Sequence, residues 1–595
     1  MKNSFQTKTT FKRIFFFTLV VFIFSCKKDI NSNNTTSNNE TAVLPDLQTQ
    51  ITSSVSGFVT DQNDAAVVGA QVKAGNISVM TDSYGYFEMK NVQVVKEAAT
   101  VTVIYPGYFK GIKTYMATEG KAAFFRIKLL QKTIIGSIDA NTGGNVSINN
   151  GMNISFPANA IKDANGNIYN GTVNVAAQYI DPTSQEINNI MPGDLRGINT
   201  DGYMKGLTSF GMMGVELTGN TGELLQVADG KKSTITMPVP ASILQDAPAT
   251  IPLWHFDERN GLWKEEGSAI KTGNNYVGEV SHFSFWNCDL PNATVPLSFT
   301  VLDLNGNPVT NANVNILPTT SGSWSHISGY TDYTGYVSVL VTANNRYSLR
   351  ISGNCNDMPV YSQSFSVSTT PVALGNIVIG SAGTAIVSGA ITDCSGNAVT
   401  NGYLIVQSGN HYTKYPVDNT GAYHFSVILC STTENVNLFA EDVTGSQQSP
   451  SMPYTLIAGP NNIGNMQACG INTEEFVSYS INGGLITSYT VPGAVINSFF
   501  SSSYYIAAYP NANDLIQFNF DTTGIGPGSI HPLLSIYESH INIAGNLPPT
   551  ENVYITECGS SIGGFIAGHF TTTMTDGNTL ATYIVVCNFR VRKIF

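Results

Sequence analysis

A few residue types in this 595-residue chain have a spacing that could do chemistry. Gly559-Ser560-Ser561-Ile562-Gly563 has the G-x-S-x-G form that places a nucleophilic serine on a strand-to-helix elbow. A strand-like stretch follows it, with no convincing Asp-then-His order downstream, so it reads as a turn. Asp163-Ala164-Asn165-Gly166-Asn167 and Asp303-Leu304-Asn305-Gly306-Asn307 begin as a calcium loop begins. Such a loop needs a bidentate glutamate at position twelve. Those positions hold Asn174 and Val314, so both stretches read as hairpin turns. Asp257 and Glu258 lie between Trp254 and Trp263. Paired acids across a sugar hydrolyse glycosides, but neighbours on a strand face opposite ways. Trp254 and Trp263 read as core, or, where exposed, as faces on which a sugar ring could stack. His282 and Trp286 share one strand face and read as core or turn. None of the eight histidines has HxH or HExxH spacing, so neither a metal nor a cofactor is expected.

The eight cysteines are Cys26, Cys288, Cys355, Cys394, Cys430, Cys469, Cys558 and Cys587. None form CxxC, which points away from zinc. Cys394 with Cys430, and Cys558 with Cys587, fall within single expected domains and are the preferred disulfide pairs, though sequence leaves connectivity open. Cys26 stands apart. Lys2, Lys8, Lys12 and Arg13 precede an apolar run at 14–24, too short for the roughly twenty residues of a membrane-spanning helix. A cationic start, a short apolar middle and a small residue before a cysteine make a secretory signal, 1–25. Ile23-Phe24-Ser25-Cys26 resembles the bacterial lipobox, which implies lipidation at Cys26. Cys26-Lys27-Lys28-Asp29 resembles the start of Bacteroidetes lipoproteins. The absence of aspartate after the cysteine implies the outer membrane, with the chain either surface-exposed or periplasmic.

The elements needed to position side chains are strands. Charged residues are only 12%, against the usual quarter, while glycine is abundant at 55. Amphipathic helices need charged outer faces that this chain rarely supplies, whereas short strands joined by Gly, Asn and Asp turns suit it. The formal charge of −12 becomes −16 once the four cations of the signal are removed. No basic stripe exists, so nucleic acid is not an expected partner. Residues 26–52 form a disordered tether, because Asn31 to Thr41 offers nothing apolar to bury.

An ordered motif set recurs three times. It runs Ser56-Gly57-Phe58-Val59-Thr60-Asp61, then Val68-Gly69-Ala70-Gln71-Val72, then Thr81-Asp82-Ser83-Tyr84-Gly85-Tyr86-Phe87. It returns from Phe299 through Thr331-Asp332-Tyr333-Thr334-Gly335, and from Ser388 through Val417-Asp418-Asn419-Thr420-Gly421. In the first copy Val55, Gly57 and Val59 share one strand face, while Ser54, Ser56, Phe58 and Thr60 share the other. These blocks, 53–132, 293–380 and 381–469, resemble carboxypeptidase-regulatory-like domains, transthyretin-like β-sandwiches grouped with carbohydrate-binding-like folds. Residues 133–292 carry Pro252-Leu253-Trp254-His255-Phe256-Asp257 and His282-Phe283-Ser284-Phe285-Trp286-Asn287. They resemble the ZU5-like sandwich shared by zonula occludens proteins, netrin receptors and cartilage intermediate layer protein, an interaction module. Residues 470–595 form a further β-rich domain, with 564–570 and 583–591 as a closing hairpin.

The expected molecule is all-β: tandem β-sandwich domains on a disordered N-terminal tether. The resemblances imply a membrane-anchored modular lipoprotein of the cell envelope. It would act in adhesion or binding of a glycan or surface protein, without catalysis of its own. Two alternatives are an accessory lipoprotein of a glycan-uptake system and an enzyme in the C-terminal domain.

Overall fold

The computed structural model describes residues 44–148, 150–319, 327–353, 359–380, 383–491, 495–500, 503–511, 514–541, 551–559, 564–576 and 581–593. The signal, Cys26, most of the tether, Cys355 and Ser560 to Gly563 lie outside them. The chain is all-β. Its helices among the described residues are single turns, Ile187–Ile190 and Leu244–Asp246. No helix there is long and apolar enough to cross a membrane.

The three repeat copies share one topology. In the first, Gln50–Thr60 lies between Tyr86–Val95, antiparallel, and Ala122–Lys128, parallel. A second sheet has the order Ile77–Met80, Gln71–Ala74, Ala99–Ile104, Gly111–Tyr115. The next copy repeats this around Thr294–Leu302, and the last around Thr384–Thr392. The alternation of each first strand explains the packing. Val55 and Val59 enter the sandwich core with Val72, Phe87 and Val101, while Phe58 points the other way.

The motif residues are the stitches. Thr81 donates its hydroxyl to the Val67 carbonyl at 2.6 Å and accepts from the Ala70 amide at 2.8 Å. Thr331 does the same with Val309 and Ala312. The glycine of each turn has positive φ: Gly85 72°, Gly335 74° and Gly421 80°. A Cβ there would lie 2.4, 2.3 or 2.7 Å from the carbonyl oxygen of Val59, Val301 or Ile391. The D-x-N-G-N stretches are carboxylate-closed turns. Asp303 Oδ1 accepts from the amides of Asn305 and Asn307, both at 2.8 Å, and Asp163 accepts likewise from Asn165 and Asn167.

Residues 134–292 form a thirteen-stranded sheet system built on the long strand Met204–Thr218. It has two apolar clusters, one around Phe210, Leu253 and Trp286, the other around Trp254, Phe256 and Trp263. The second also takes in Phe109 and Ile112 of the first repeat copy. Residues 476–592 form a nine-stranded antiparallel sheet, including the expected hairpin of Phe565–Thr575 with Thr582–Arg592. Phe518 lies 4.9 Å from Phe570 and 5.3 Å from Phe589, ring centre to ring centre, although their strands are not neighbours. The sheet therefore curls around its own core.

Two disulfide expectations are corrected. Cys394 bonds to Cys469, with 5.1 Å between their Cα atoms, not to Cys430. Cys394 follows Thr384–Thr392, and Cys469 follows the parallel strand Gly459–Gln467, so both leave the sheet at one end. Cys430 follows the antiparallel strand Ala422–Ile428 and leaves at the opposite end. It too is disulfide-bonded. Cys558 and Cys587 are both free. Phe565–Thr575 runs between their strands, placing Cys558 opposite Ile566 and Cys587 opposite Phe570. Side chains two strands apart cannot meet the short Cβ separation of a disulfide.

Candidate functional site

A recess lies where the first repeat copy, the 134–292 block and the second copy meet. Its volume is about 190 Å³. That is below the roughly 300–1,000 Å³ of drug-sized pockets, and suits a single sugar unit or one side chain. Four cations line it, Lys113, Lys121, Arg126 and Arg196, against two acids, Asp194 and Asp332. A locally cationic recess in a chain of net charge −12 is a departure from its surroundings.

Each charge is placed by a specific element. Lys113, on Gly111–Tyr115, is buried and donates to the carbonyls of Asn188 at 2.7 Å and Met191 at 2.8 Å. Burial pushes its pKa down to about 7, with Asp194 pulling it back up. Arg196 is 2% exposed. Its Nε donates to Asp194 at 2.6 Å and its Nη1 to the Glu97 carbonyl, while Nη2 is buried without a partner. Arg126 lies against the rings of Phe58, Phe124 and Tyr330 at 5.2–5.8 Å, its Nε and Nη2 also buried and unpartnered. Burial lowers the Arg126 pKa and raises those of Asp194 and Asp332. Asp194 Oδ1 and Asp332 Oδ2 have no hydrogen-bonding partner. Unpaired buried polar atoms are rare in folded proteins, so this concentration marks a place where an outside group or water completes the bonding.

Trp254 and Trp263 do not offer a stacking surface. Both are fully buried. Leu253 enters the cluster around Phe210 and Trp286, which turns the Trp254 indole into the opposite cluster, with Trp263, facing the first repeat copy. Trp254 Nε1 donates to the Asp289 carbonyl at 3.1 Å, and Trp263 Nε1 to the Asp194 carbonyl at 2.9 Å. Trp263 thus holds the backbone of a recess residue from behind. The two acids between the tryptophans separate, Asp257 ending its strand and Glu258 lying in the turn that follows. Asp257 closes a turn with the Arg259 amide and Asn260, while Glu258 pairs with Lys110 at 2.6 Å.

Local spacing missed one constellation. His255 on Thr250–Asp257, Glu266 on Leu262–Thr272 and His282 just before Phe285–Asn292 converge beside Trp286. Their ligand-type atoms all lie within 4.8 Å of one another. Burial, and then the neighbouring His282, lower the His255 pKa. The P-L-W-x-F-D and H-F-S-x-W-N stretches supplied both histidines, but only strand pairing puts Glu266 between them. In the curled C-terminal sheet, Ser529 Oγ lies 2.6 Å from His531 Nε2. The same hydroxyl bonds both the amide and the carbonyl of Gly526, which makes the pair part of a turn.

No family model matches the chain. Over 163 residues, 26% of this chain, it is 25% identical to cartilage intermediate layer protein 2 of Mus musculus. Over 123 residues, 20% of this chain, it is 30% identical to cartilage intermediate layer protein 2 of Homo sapiens. These matches cover 14% and 10% of the two relatives, so the chain spans only a small part of their length. Among solved structures, a Streptococcal ancillary pilin aligns over 37% of this chain and 95% of its own, at 12% identity and a TM-score of 0.14. The major pilin subunit of Bacillus cereus aligns over 71% and 99%, at 10% identity and a TM-score of 0.13.

Proposed function

We propose that this chain is an exported, lipid-anchored binding protein of the cell envelope, without catalysis of its own, whose three-module recess takes an anionic group. The cationic lining carries this reading: Lys113, Lys121, Arg126 and Arg196 outnumber the acids in a protein that is otherwise acidic. The carboxylate of an acidic sugar fits the charge and the recess volume, and ring hydroxyls suit Asp194 and Asp332 as acceptors. Lipidation at Cys26 and export to the outer membrane complete the reading, on the lipobox-like residues alone.

Binding is tested on a glycan array holding neutral and acidic sugars, with the protein lacking residues 1–41. Acidic sugars should be retained selectively. Lys121→Glu, on the recess rim, should weaken them about five-fold, the size of a contact worth ~1 kcal/mol. Retention of neutral sugars alone, or no change on charge reversal, sinks the assignment of the recess. Palmitate labelling of the full chain and of Cys26→Ala tests the anchor, and an unlabelled wild-type chain overturns it.

A further inference from the structure

The pair His255 and Glu266 has an unusual relation. His255 Nδ1 lies 3.1 Å from Glu266 Oε2, yet Nδ1 is buried and makes no hydrogen bond. His282 Nε2 lies 3.7 Å from the same oxygen. Two ligand atoms each about 2.0–2.1 Å from a tetrahedral zinc ion stand about 3.3 Å apart. The two distances straddle that value. With all three ligand-type atoms within 4.8 Å of one another, one ion could touch each of them.

The surroundings hold the three groups in place. Ser281 Oγ donates to Glu266 Oε1 at 2.6 Å, which leaves Oε2 to the imidazoles. Trp286 Nε1 donates to the His282 carbonyl at 3.0 Å and so pins the loop that carries His282. The Trp286 ring flanks both imidazoles, 5.6 Å from His255 and 5.1 Å from His282. Supporting bonds of this kind orient metal ligands and raise affinity. One side stays open: the Glu266 and His282 side chains are 41% and 32% exposed, against 12% for His255.

We propose that His255, Glu266 and His282 form a binding site for a divalent transition-metal ion, Zn2+ by preference. Two imidazoles and one carboxylate suit zinc and disfavour calcium or magnesium, which take oxygen donors. Three protein ligands leave a fourth position to water or an external donor on the open side. The site lies on the 134–292 block and does not depend on the recess described above.

The test uses the full chain, produced without a polyhistidine tag, stripped with chelator and titrated with Zn2+ at neutral pH by calorimetry. One equivalent should bind with a Kd of about 10 µM or tighter. His282→Ala and Glu266→Gln should each weaken binding at least about ten-fold. His282 is partly exposed on a loop, so its loss leaves the strands intact, which circular dichroism checks. X-ray absorption should show nitrogen and oxygen donors at about 2.0–2.1 Å, and millimolar Ca2+ should give no heat at this site. Absence of stoichiometric Zn2+ binding, or binding unchanged in His282→Ala, overturns the proposal and leaves a charge-paired histidine–glutamate cluster.

Discussion

Lys113 holds its ammonium on two carbonyls inside the protein, with no carboxylate directly bonded to it. Burial lowers its pKa from 10.5 to about 7. Between those values the unfolded chain binds a proton that the folded chain does not. Stability must therefore rise as pH climbs from about 7 to about 10, by on the order of a few kcal/mol. Urea midpoints across that range should climb for the wild type, and Lys113→Met should flatten the slope. Parallel curves would mean that Lys113 stays charged in the fold. The residue scale also shows where sequence reading stops. Trp254 and Trp263 were legible as large apolar side chains, but their burial follows from the first repeat copy packing over them. His255, Glu266 and His282 have no local spacing to read, since each comes from a different element.

At the scale of the element, the repeat motif was readable because it is local chemistry. Asp accepts the amides of its own turn, and Gly takes a φ that other residues resist. Gly335→Ala meets both the positive φ and a carbonyl oxygen 2.3 Å from the new Cβ. It should destabilise by about 1–3 kcal/mol, seen as a lowered melting temperature. An unchanged Tm would mean that the turn relaxes freely. Thr331 carries two bonds that the third copy does without, having Val417 at that place. The third copy instead carries the Cys394–Cys469 disulfide. That pairing was not legible because it depends on which strand ends lie together: a parallel neighbour brings Cys469 back beside Cys394, and an antiparallel one takes Cys430 away.

Across the whole molecule, the first and third repeat copies meet through side chains that strand alternation turns away from their own cores. Phe58, Tyr86 and Phe124 of the first pack with Tyr403 and Ile405 of the third. Lys414 sits at the centre, 2.7 Å from Asp82 and 2.5 Å from Glu441, with the rings of Tyr84, Tyr86 and Tyr403 at 4.8–5.5 Å. Its pKa is raised: burial works against the charge, and the two carboxylates outweigh it. Removing one partner of a buried ion cluster strands the others. Lys414→Ala should therefore destabilise the contact by about 3 kcal/mol and expose the 411–416 strand to faster amide exchange. Exchange unchanged at 411–416 would show that the copies hold together through the aromatic residues alone.

The sequence by itself determined the all-β class, the repeated strand order and the turns, because each is written in periodicity and in side chains that bond their own backbone. Phe58 was legible as an apolar residue on an otherwise polar strand face, and the structure places it in the contact between copies. The tertiary structure alone decided the rest. It paired Cys394 with Cys469, buried the two tryptophans, gathered four cations around a recess from separate modules and set a glutamate between two histidines. These arrangements join residues far apart in the chain, and their energies come from burial and charge pairing that exist only once the strands have closed on one another.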